Sequence, residues 1–258
     1  MKKKIKGFYL IVSSFIIAIL HLPFAFAKST AGSKLFFEPP PGSKTLSTAA
    51  PVPLPKPAPA PVTPVLKSVY DSLHLNVKGL SQRAFDFARQ GLQKLVEEGK
   101  LLNDSIISIV DFSLPSNEKR LFVLDVKNYK VLFNSLVAHG QNTGREKATS
   151  FSNLNESHKS SLGFYITMGT YEGGNGYSLK LEGLESGIND KAYERGIVMH
   201  GADYVSQELA NARGWVGRSH GCPAVPVQLN RPIINTIKGG SCFFIYHPDY
   251  ISRSQVLN

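Results

Sequence analysis

The chain has 258 residues, 42% of them hydrophobic and 19% charged, and this composition excludes wholesale disorder and collagen-like structure. Its formal net charge is +10, but residues 1–27 hold four lysines and no acidic residue, which leaves +6 for the remainder. That charge, with no basic run that interleaves aromatic residues, is too small to indicate nucleic acid, and we expect no nucleic-acid partner. The two cysteines, Cys222 and Cys242, are too few for a disulfide-dense scaffold.

Residues 1–27 have the pattern of an export signal. A lysine-rich start is followed by an apolar run at 8–20 and by Ala-Phe-Ala at 25–27, which suits signal cleavage. The alternative is a retained membrane anchor, but the apolar run is shorter than the roughly 20 residues that span a bilayer. We therefore expect a signal peptide over 1–27, an exported protein in the periplasm or cell envelope, and no stable membrane span after cleavage.

Residues 28–64 form a proline-rich segment. Ten of the sixteen prolines of the chain lie between Pro39 and Pro64. Proline fixes φ and removes a backbone donor, so the pattern predicts an extended tether. The segment could also be a ligand for a proline-binding module, but a plain spacer is the simpler interpretation.

A helical segment is predicted over residues 65–103. Its first helix is indicated by apolar residues at helical spacing: Leu66, Val69, Tyr70 and Leu73. In the second helix, Ser81 is a favourable N-cap and Gly99 a favourable end. Between them an apolar stripe predicts a face that packs on the core: Ala84, Phe85, Ala88, Leu92, Leu95 and Val96.

After residue 103 the pattern changes to short runs rich in β-branched and aromatic residues, which predict strands at 105–112, 120–126, 130–137, 163–170, 176–183, 196–200 and 241–247. The sequence YEGGNG at 171–176 predicts a hairpin turn. Helices are expected at 204–213 and around 231–238. The fold class is therefore α+β, mainly β, with a domain over 104–252 preceded by two helices.

Three stretches of this domain combine reactive side chains with glycine: VAHG at 137–140, VMHG at 198–201 and GRSHGCP at 217–223. Cys222 is the candidate nucleophile, because a thiolate is strongly nucleophilic and a neighbouring histidine can lower the pKa of the thiol. Gly221 would let a substrate approach the backbone closely. The amides of Gly221 and Cys222 could point at a developing oxyanion.

Other interpretations of these residues remain open. Cys222 and Cys242 could form a disulfide, although an inert buried thiol is the simpler interpretation of Cys242. His200, His220 and Cys222 could bind zinc as three ligands, with water as the fourth. His139 has no cysteine spaced behind it, so we interpret it as structural or as bordering the site and leave it outside the catalytic set.

The spacing of these residues resembles a known family. A histidine-glycine at the end of a strand, followed by Ser-His-Gly-Cys 19 residues after that histidine, resembles the YkuD-type L,D-transpeptidase catalytic domain, in the branch of murein L,D-transpeptidase catalytic domains. The hallmarks here are IVDFSLPSNEKRLFVLDV, VAHGQNTG, FSN, SSLGFY, SLKLEGLE and GRSHGCPAV. The resemblance covers roughly residues 80–250 and implies a YkuD-like β-sandwich.

The resemblance also implies roles for single residues. Cys222 matches the nucleophile and His200 the general base, while the carbonyl of Gly201 matches the group that orients the imidazole. Gly221 belongs to the signature around the thiol and joins the catalytic set. No metal or other cofactor is required.

Three residues of the signature are candidates for substrate binding: Ser219, His220 and Arg218. Arg218 could bind a carboxylate bidentately or be an ordinary loop arginine, and His220 could line the site or hold the loop. The sequence departs from the family at Pro223 and Ala224, where relatives carry an apolar residue and then arginine or asparagine.

The implied reaction is acyl transfer on peptidoglycan stem peptides through a thioester on Cys222, with loss of the terminal D-residue. The acceptor would be a neighbouring stem or a wall-anchored protein; with water instead, the enzyme would be an L,D-carboxypeptidase. A catalytically silent wall-binding module is a further alternative. A papain-like peptidase is disfavoured, because there the cysteine precedes the histidine in the chain. If Cys222 and His200 are in contact, we expect them to titrate as a coupled thiolate–imidazolium pair.

Overall fold

The computed structural model describes residues 68–258, so the expected signal peptide, the tether and Leu66 lie outside the described residues. The helices are α1 (Val69–Ser72), α2 (Gln82–Glu97), α3 (Gln207–Arg213) and α4 (Val227–Ile237), with a 3-10 helix at Pro248–Arg253. The strands are β1 (Asn103–Asp111), β2 (Leu121–Asp125), β3 (Lys130–Ser135), β4 (Gly163–Gly173), β5 (Gly176–Gly183), β6 (Val198–Gly201), β7 (Ala224–Val225) and β8 (Ser241–Tyr246).

The strands are joined in one eight-stranded sheet with the order β3-β2-β1-β8-β4-β5-β6-β7. Neighbouring strands are antiparallel except for the pairs β1–β8 and β6–β7, which are parallel. The predicted fold class, mainly β with two preceding helices, is confirmed. The strands that were expected to form a β-sandwich are hydrogen-bonded in one continuous sheet. The hairpin predicted at YEGGNG is also confirmed, since Gly173 pairs with Gly176.

The helix boundaries differ from the expectations in two places. Helix α3 begins three residues later than predicted, at Gln207, because the Ser206 hydroxyl caps it by accepting from the Leu209 amide. Helix α4 begins at Val227, four residues before the predicted start, and Pro232 lies inside it. Burial of its isoleucines against the sheet holds this helix despite the proline: Ile233, Ile234 and Ile237.

Helix α2 packs across the sheet with five of the six residues of its predicted apolar stripe buried, whereas Val96 is 41% exposed. Ser81 caps it, since the Ser81 hydroxyl accepts a hydrogen bond from the Ala84 amide over 3.2 Å. The same hydroxyl donates to Asp111 at the end of β1 over 2.9 Å, which ties the start of the helix to the sheet. In the middle of the helix, Gly91 lies directly over the ring of Phe164. That ring stacks on the ring of Phe244, with the two centroids 4.1 Å apart.

The C-terminal segment is held by a buried carboxylate. Glu185 is fully buried and accepts hydrogen bonds from one backbone amide of β4 and from groups of the C-terminal segment: Phe164, Tyr250, Ser254, Gln255 and Val256. A buried carboxylate costs much less when its oxygens are satisfied in this way. Among the helices of residues 68–258, none combines the length and the apolar character that a membrane crossing requires.

We predict that Gly91→Ala destabilises the protein although alanine is the better helix former. The ring of Phe164 occupies the space that the new methyl group would need, so the free energy of unfolding should fall by about 1–3 kcal/mol. The measurement is urea unfolding followed by circular dichroism. Arg89→Ala, on the exposed face of the same helix, should change stability by less than about 0.5 kcal/mol. Equal stability of Gly91→Ala and the wild type would contradict this packing.

Candidate active site

The structure brings the three glycine-bearing stretches of the sequence side by side. Strand β6 carries His200 and pairs in parallel with β7, where His200 is the register partner of Ala224. On the other side, the Ala138 amide donates to the Ala224 carbonyl over 2.8 Å, and Gly140 forms a bridge with Ser219. The loop that carries the cysteine therefore lies between the two histidine-glycine stretches, each hydrogen-bonded to it through the backbone.

Cys222 lies in this loop, partly exposed, beside the start of β6. Its sulfur accepts a hydrogen bond from the Val198 amide over 3.5 Å and is 3.8 Å from the Gly196 carbonyl, to which the thiol donates. Burial raises the pKa of the Cys222 thiol, and the Val198 amide and the positive charge of Arg195 oppose this rise without cancelling it. The resting group is a neutral thiol.

His200 has a defined tautomer. Its Nδ1 is 2.9 Å from the Gly201 carbonyl, and since a carbonyl only accepts, Nδ1 carries the hydrogen. Nε2 is then left with its lone pair, which is the form a general base needs. The side chain is 4% exposed, and burial lowers the pKa of His200 below its ordinary value despite the bond to Gly201. The imidazole is neutral at pH 7.

Coupled titration of Cys222 and His200 was expected if the two groups are in contact, and it stays a prediction. Within residues 68–258 the hydrogen-bond partners of the Cys222 sulfur are Val198 and Gly196, and His200 is not among them. Burial disfavours the charged form of both groups, raising the pKa of Cys222 and lowering that of His200. Cys222 precedes β7, His200 lies on β6 in register with Ala224, and burial favours the neutral form of both.

The cysteine loop is shaped by Ser219 and Gly221. The Ser219 hydroxyl donates to the Cys222 carbonyl over 2.7 Å and accepts from the Gly221 amide over 3.0 Å, so its bonds lie inside the loop. Gly221 has φ of 123°, in the region that favours glycine. Because the Gly221 amide is already used by Ser219, the amide left for an oxyanion is that of Cys222. No group within residues 68–258 accepts a hydrogen bond from it.

The other predicted site residues lie around the loop. Arg218 donates to two backbone carbonyls, of Gln141 and Gly144, over 3.0 and 3.1 Å. The ring of His220 is exposed and stacks on the ring of His158, with the centroids 4.2 Å apart and the planes within 9°. Arg218 thus holds the segment after Gly140, and His220 faces solvent beside the thiol loop.

Of the two sequence-based interpretations of His139, structural or bordering the site, its contacts favour the structural one. It is fully buried, its Nδ1 accepts from Arg120 over 2.8 Å, and its Nε2 donates to the Gly144 carbonyl over 3.3 Å. Burial and the neighbouring Arg120 charge lower the pKa of His139 to about 3. Both ring nitrogens are engaged, and the tautomer is opposite to that of His200, so no nitrogen is left to act as a base.

Two residues near the thiol were missed from the sequence. The Arg195 guanidinium donates to backbone and serine oxygens beneath the loop, including the Lys159 carbonyl at 2.7 Å, and its charge acts on Cys222. Tyr204 follows β6, and burial, together with the negative charge that Cys222 carries once it is ionised, raises the pKa of its phenol to about 12. The one signal in the sequence that could have pointed to Arg195 is its position directly before the strand predicted at 196–200.

The structure also decides two alternatives. Cys222 and Cys242 are both free thiols, so the disulfide considered from the sequence is not formed. Cys242 is fully buried in β8 and behaves as an apolar core residue. In the part of the chain from residue 68 onward, His200, His220 and Cys222 do not form a cluster that could hold a metal ion, and no other group of three such side chains does.

Comparison with known proteins identifies the domain. A family model described as YkuD_2, L,D-transpeptidase catalytic domain, matches residues 76–246. A search of curated proteins finds no match. Similar solved structures include an L,D-transpeptidase from Mycobacterium smegmatis, with 10% identity, a TM-score of 0.36, and coverage of 55% of this chain and 59% of that chain.

Two further structures are similar at the same level. An L,D-transpeptidase from Stackebrandtia nassauensis has 14% identity and a TM-score of 0.34, covering 61% of this chain and 65% of that chain. The helical cell shape determining protein Pgp2 from Campylobacter jejuni has 14% identity and a TM-score of 0.37, covering 61% and 56%. In each case the match spans less than two thirds of the solved chain.

We predict that Gly221→Ala disrupts the cysteine loop. A Cβ at this position would lie 2.8 Å from the Lys159 carbonyl oxygen and 3.0 Å from Ile197, in a backbone conformation that alanine avoids. Gly187→Ala is the matched control, because Gly187 also has positive φ but has open space around it. In urea unfolding, Gly221→Ala should lose about 1–3 kcal/mol more than the control. Equal losses would show that the loop has room for a side chain.

Proposed function

This chain belongs to the family of L,D-transpeptidase catalytic domains, and we propose that it is an exported cysteine acyltransferase acting on peptidoglycan stem peptides. The observation that carries the proposal is the pairing of β6 with the cysteine loop. His200, with Nε2 free to accept a proton, lies on β6 in register with Ala224, which follows the partly exposed Cys222 by two residues. The N-terminal export pattern is an independent argument, because such a substrate lies outside the cytoplasmic membrane.

In the acylation step, Nε2 of His200 takes the thiol proton while the sulfur attacks the carbonyl carbon of an L-configured centre that precedes a terminal D-residue. The negative charge that develops on the carbonyl oxygen is met by the Cys222 amide. When the tetrahedral intermediate collapses, the bond to the D-residue breaks and the imidazolium returns the proton to the leaving amine. A thioester on Cys222 remains.

In the second step, an amine of another stem peptide or of a wall-anchored protein attacks the thioester. His200 accepts the proton of the amine and gives it to the departing sulfur, so the neutral thiol is restored. The product is a cross-link or a protein attachment. Water in place of the amine would give an L,D-carboxypeptidase, and this is our second candidate. None of these steps uses a metal or a cofactor.

Arg195 and Ser219 act as positioning residues in this mechanism. The positive charge of Arg195 opposes the rise in the pKa of Cys222 that burial causes, so it stabilises the sulfur as negative charge develops on it. Its guanidinium is fixed by neutral acceptors, among them the Ser152 carbonyl at 2.9 Å and the Ser161 hydroxyl at 2.6 Å. Ser219 fixes the turn that presents the thiol.

A catalytically silent wall-binding module is the alternative from a different class of function. The presence of both His200 and Cys222, in forms that suit catalysis, argues against it. Reaction with a carbapenem discriminates the two, because an acyltransferase of this kind forms a covalent adduct through the same sulfur.

We predict that the described domain gains the mass of one carbapenem, located on Cys222 by peptide mapping, and that it converts tetrapeptide muropeptides with loss of the terminal D-residue. Cys222→Ala should lose both reactions while keeping its circular dichroism spectrum. Cys242→Ala is the matched control and should retain both, because Cys242 is buried in β8 away from solvent. An adduct on Cys222→Ala, or unchanged turnover by it, would overturn the mechanism.

We predict a flat pH profile of acylation from mildly acidic to mildly alkaline pH. The base must be neutral, and burial lowers the pKa of His200 below 6.5, so the rate falls only as the pH drops through that lowered value. His200→Ala should lose roughly two to four orders of magnitude. Its residual rate should rise with pH toward the raised pKa of the thiol.

The measurement is stopped-flow acylation by a carbapenem between pH 5 and pH 10. The control is His74→Asn, at an exposed histidine whose positive φ asparagine tolerates, and it should keep the wild-type profile. If the acylation rate of His200→Ala did not change with pH, the general base would have to be another residue.

A further inference from the structure

A pocket adjoins the catalytic thiol on the far side of β6. Its volume is about 170 Å³, and it is lined by the start of β6 and by three side chains: Tyr171, Lys180 and Tyr193. Gly196 and Val198 line it as well, and these are the residues whose backbone groups contact the sulfur of Cys222. The pocket and the thiol thus lie on either side of the same short backbone segment.

Lys180 supplies the charge of this pocket. It is the register partner of Val198 in the antiparallel pair of β5 and β6. Its ammonium lies 5.6 Å from the ring centroid of Tyr171 and 5.3 Å from that of Tyr193, and 3.4 Å from the Tyr193 hydroxyl. The two tyrosine rings stabilise the ammonium by cation–π attraction. The ammonium has three N–H donors, and these contacts leave some of them unused.

No acidic side chain neutralises this ammonium in the part of the chain that the structure describes, where Lys180 takes part in none of the ion pairs. The other cations near the thiol are committed to the protein itself. Arg218 is bonded to backbone carbonyls, and Arg195 to carbonyls and serine hydroxyls. Within residues 68–258, Lys180 is therefore the cation that lines this pocket and has no ion partner of its own.

We propose that this pocket binds a free carboxylate of the donor stem peptide, with Lys180 as the ion partner and Tyr171 and Tyr193 as walls for the aliphatic chain that bears it. The inference rests on the proposed function and concerns which donor stem peptide the enzyme prefers. A donor that ends in diaminopimelate followed by D-alanine, which the proposed reaction implies, offers a carboxylate on the terminal D-residue and one at the end of the side chain of the attacked residue.

The spacing of strands and the number of bonds favour the side-chain carboxylate. Adjacent strands lie about 4.8 Å apart, so Lys180 on β5 is one strand beyond the segment that touches the sulfur. A carboxylate that meets its ammonium stands several bonds from the attacked carbonyl. A side chain of three or four methylene groups covers that span, whereas the terminal carboxylate is separated from the attacked carbonyl by one residue.

The test compares three donor tetrapeptides that differ in which of their two carboxylates is converted to an amide. The first has both carboxylates free, the second has the side-chain carboxylate amidated, and the third has the terminal one amidated. For the wild type we expect KM to rise roughly tenfold for the second donor, equivalent to about 1.4 kcal/mol of binding. We expect Lys180→Met to raise KM for the first donor by the same factor and to remove the difference between the first and second.

Two variants serve as controls. Lys180→Arg keeps the charge and should keep most of the preference, and Lys130→Met removes an exposed lysine from β3 at the opposite edge of the sheet and should change nothing. If Lys180→Met abolishes discrimination of the third donor instead, the terminal carboxylate is the one that is bound. Equal KM values for all donors in the wild type, or an unchanged preference in Lys180→Met, would overturn the inference while leaving the proposed function intact. Failure of the wild type to convert any donor would overturn the proposed function itself.

Discussion

The geometry of the site depends on the backbone hydrogen bonds that hold Ala224 on both sides. Strand β6 pairs with it through the register of His200, and the Ala138 amide donates to its carbonyl. These bonds require no particular side chain at Ala224 beyond one small enough to be fully buried there. They fix the loop two residues earlier, so Cys222 directly precedes the strand that pairs with His200. Ser219 and Gly221 then adjust the turn so that the sulfur stays partly exposed while its neighbours are buried.

The same pairing explains why two similar histidine-glycine stretches have different roles. Each flanks the cysteine loop, but His139 is next to a buried arginine and His200 is not. Arg120 is fully buried and donates to the carbonyls of Val137 and Leu114 as well as to His139, so it holds the outer stretch in place. Desolvation lowers the pKa of Arg120 to about 9, which leaves it charged at neutral pH. That charge requires His139 to accept through Nδ1, whereas His200 donates through Nδ1 and keeps Nε2 for a proton.

Much of the fold and the centre of the site could be predicted from the sequence, because periodicity and local spacing carry them. The strands, the hairpin at Gly173–Gly176 and the cap at Ser81 all follow from patterns within a few residues. Strand β7 was missed because two residues after Pro223 are too short to show an alternation, and its pairing is a long-range event. Arg195 and Tyr204 were missed for a related reason: their action on Cys222 arises from packing across the loop, which no spacing records. The charge states of Cys222 and His200 depend on burial, and the sequence shows that they could meet but not how much water they lose.

The neutral resting thiol has a consequence for survival in oxidising surroundings. Peroxides and disulfides are attacked by thiolates, so a cysteine that stays protonated at rest reacts slowly with them. Each unit by which burial raises the pKa of Cys222 lowers its resting thiolate fraction about tenfold. Cys242 is shielded further from such reagents, because it is fully buried inside β8. In the proposed mechanism the nucleophile is produced only when a substrate carbonyl is in place and His200 takes the proton, so little thiolate is exposed to damage between turnovers.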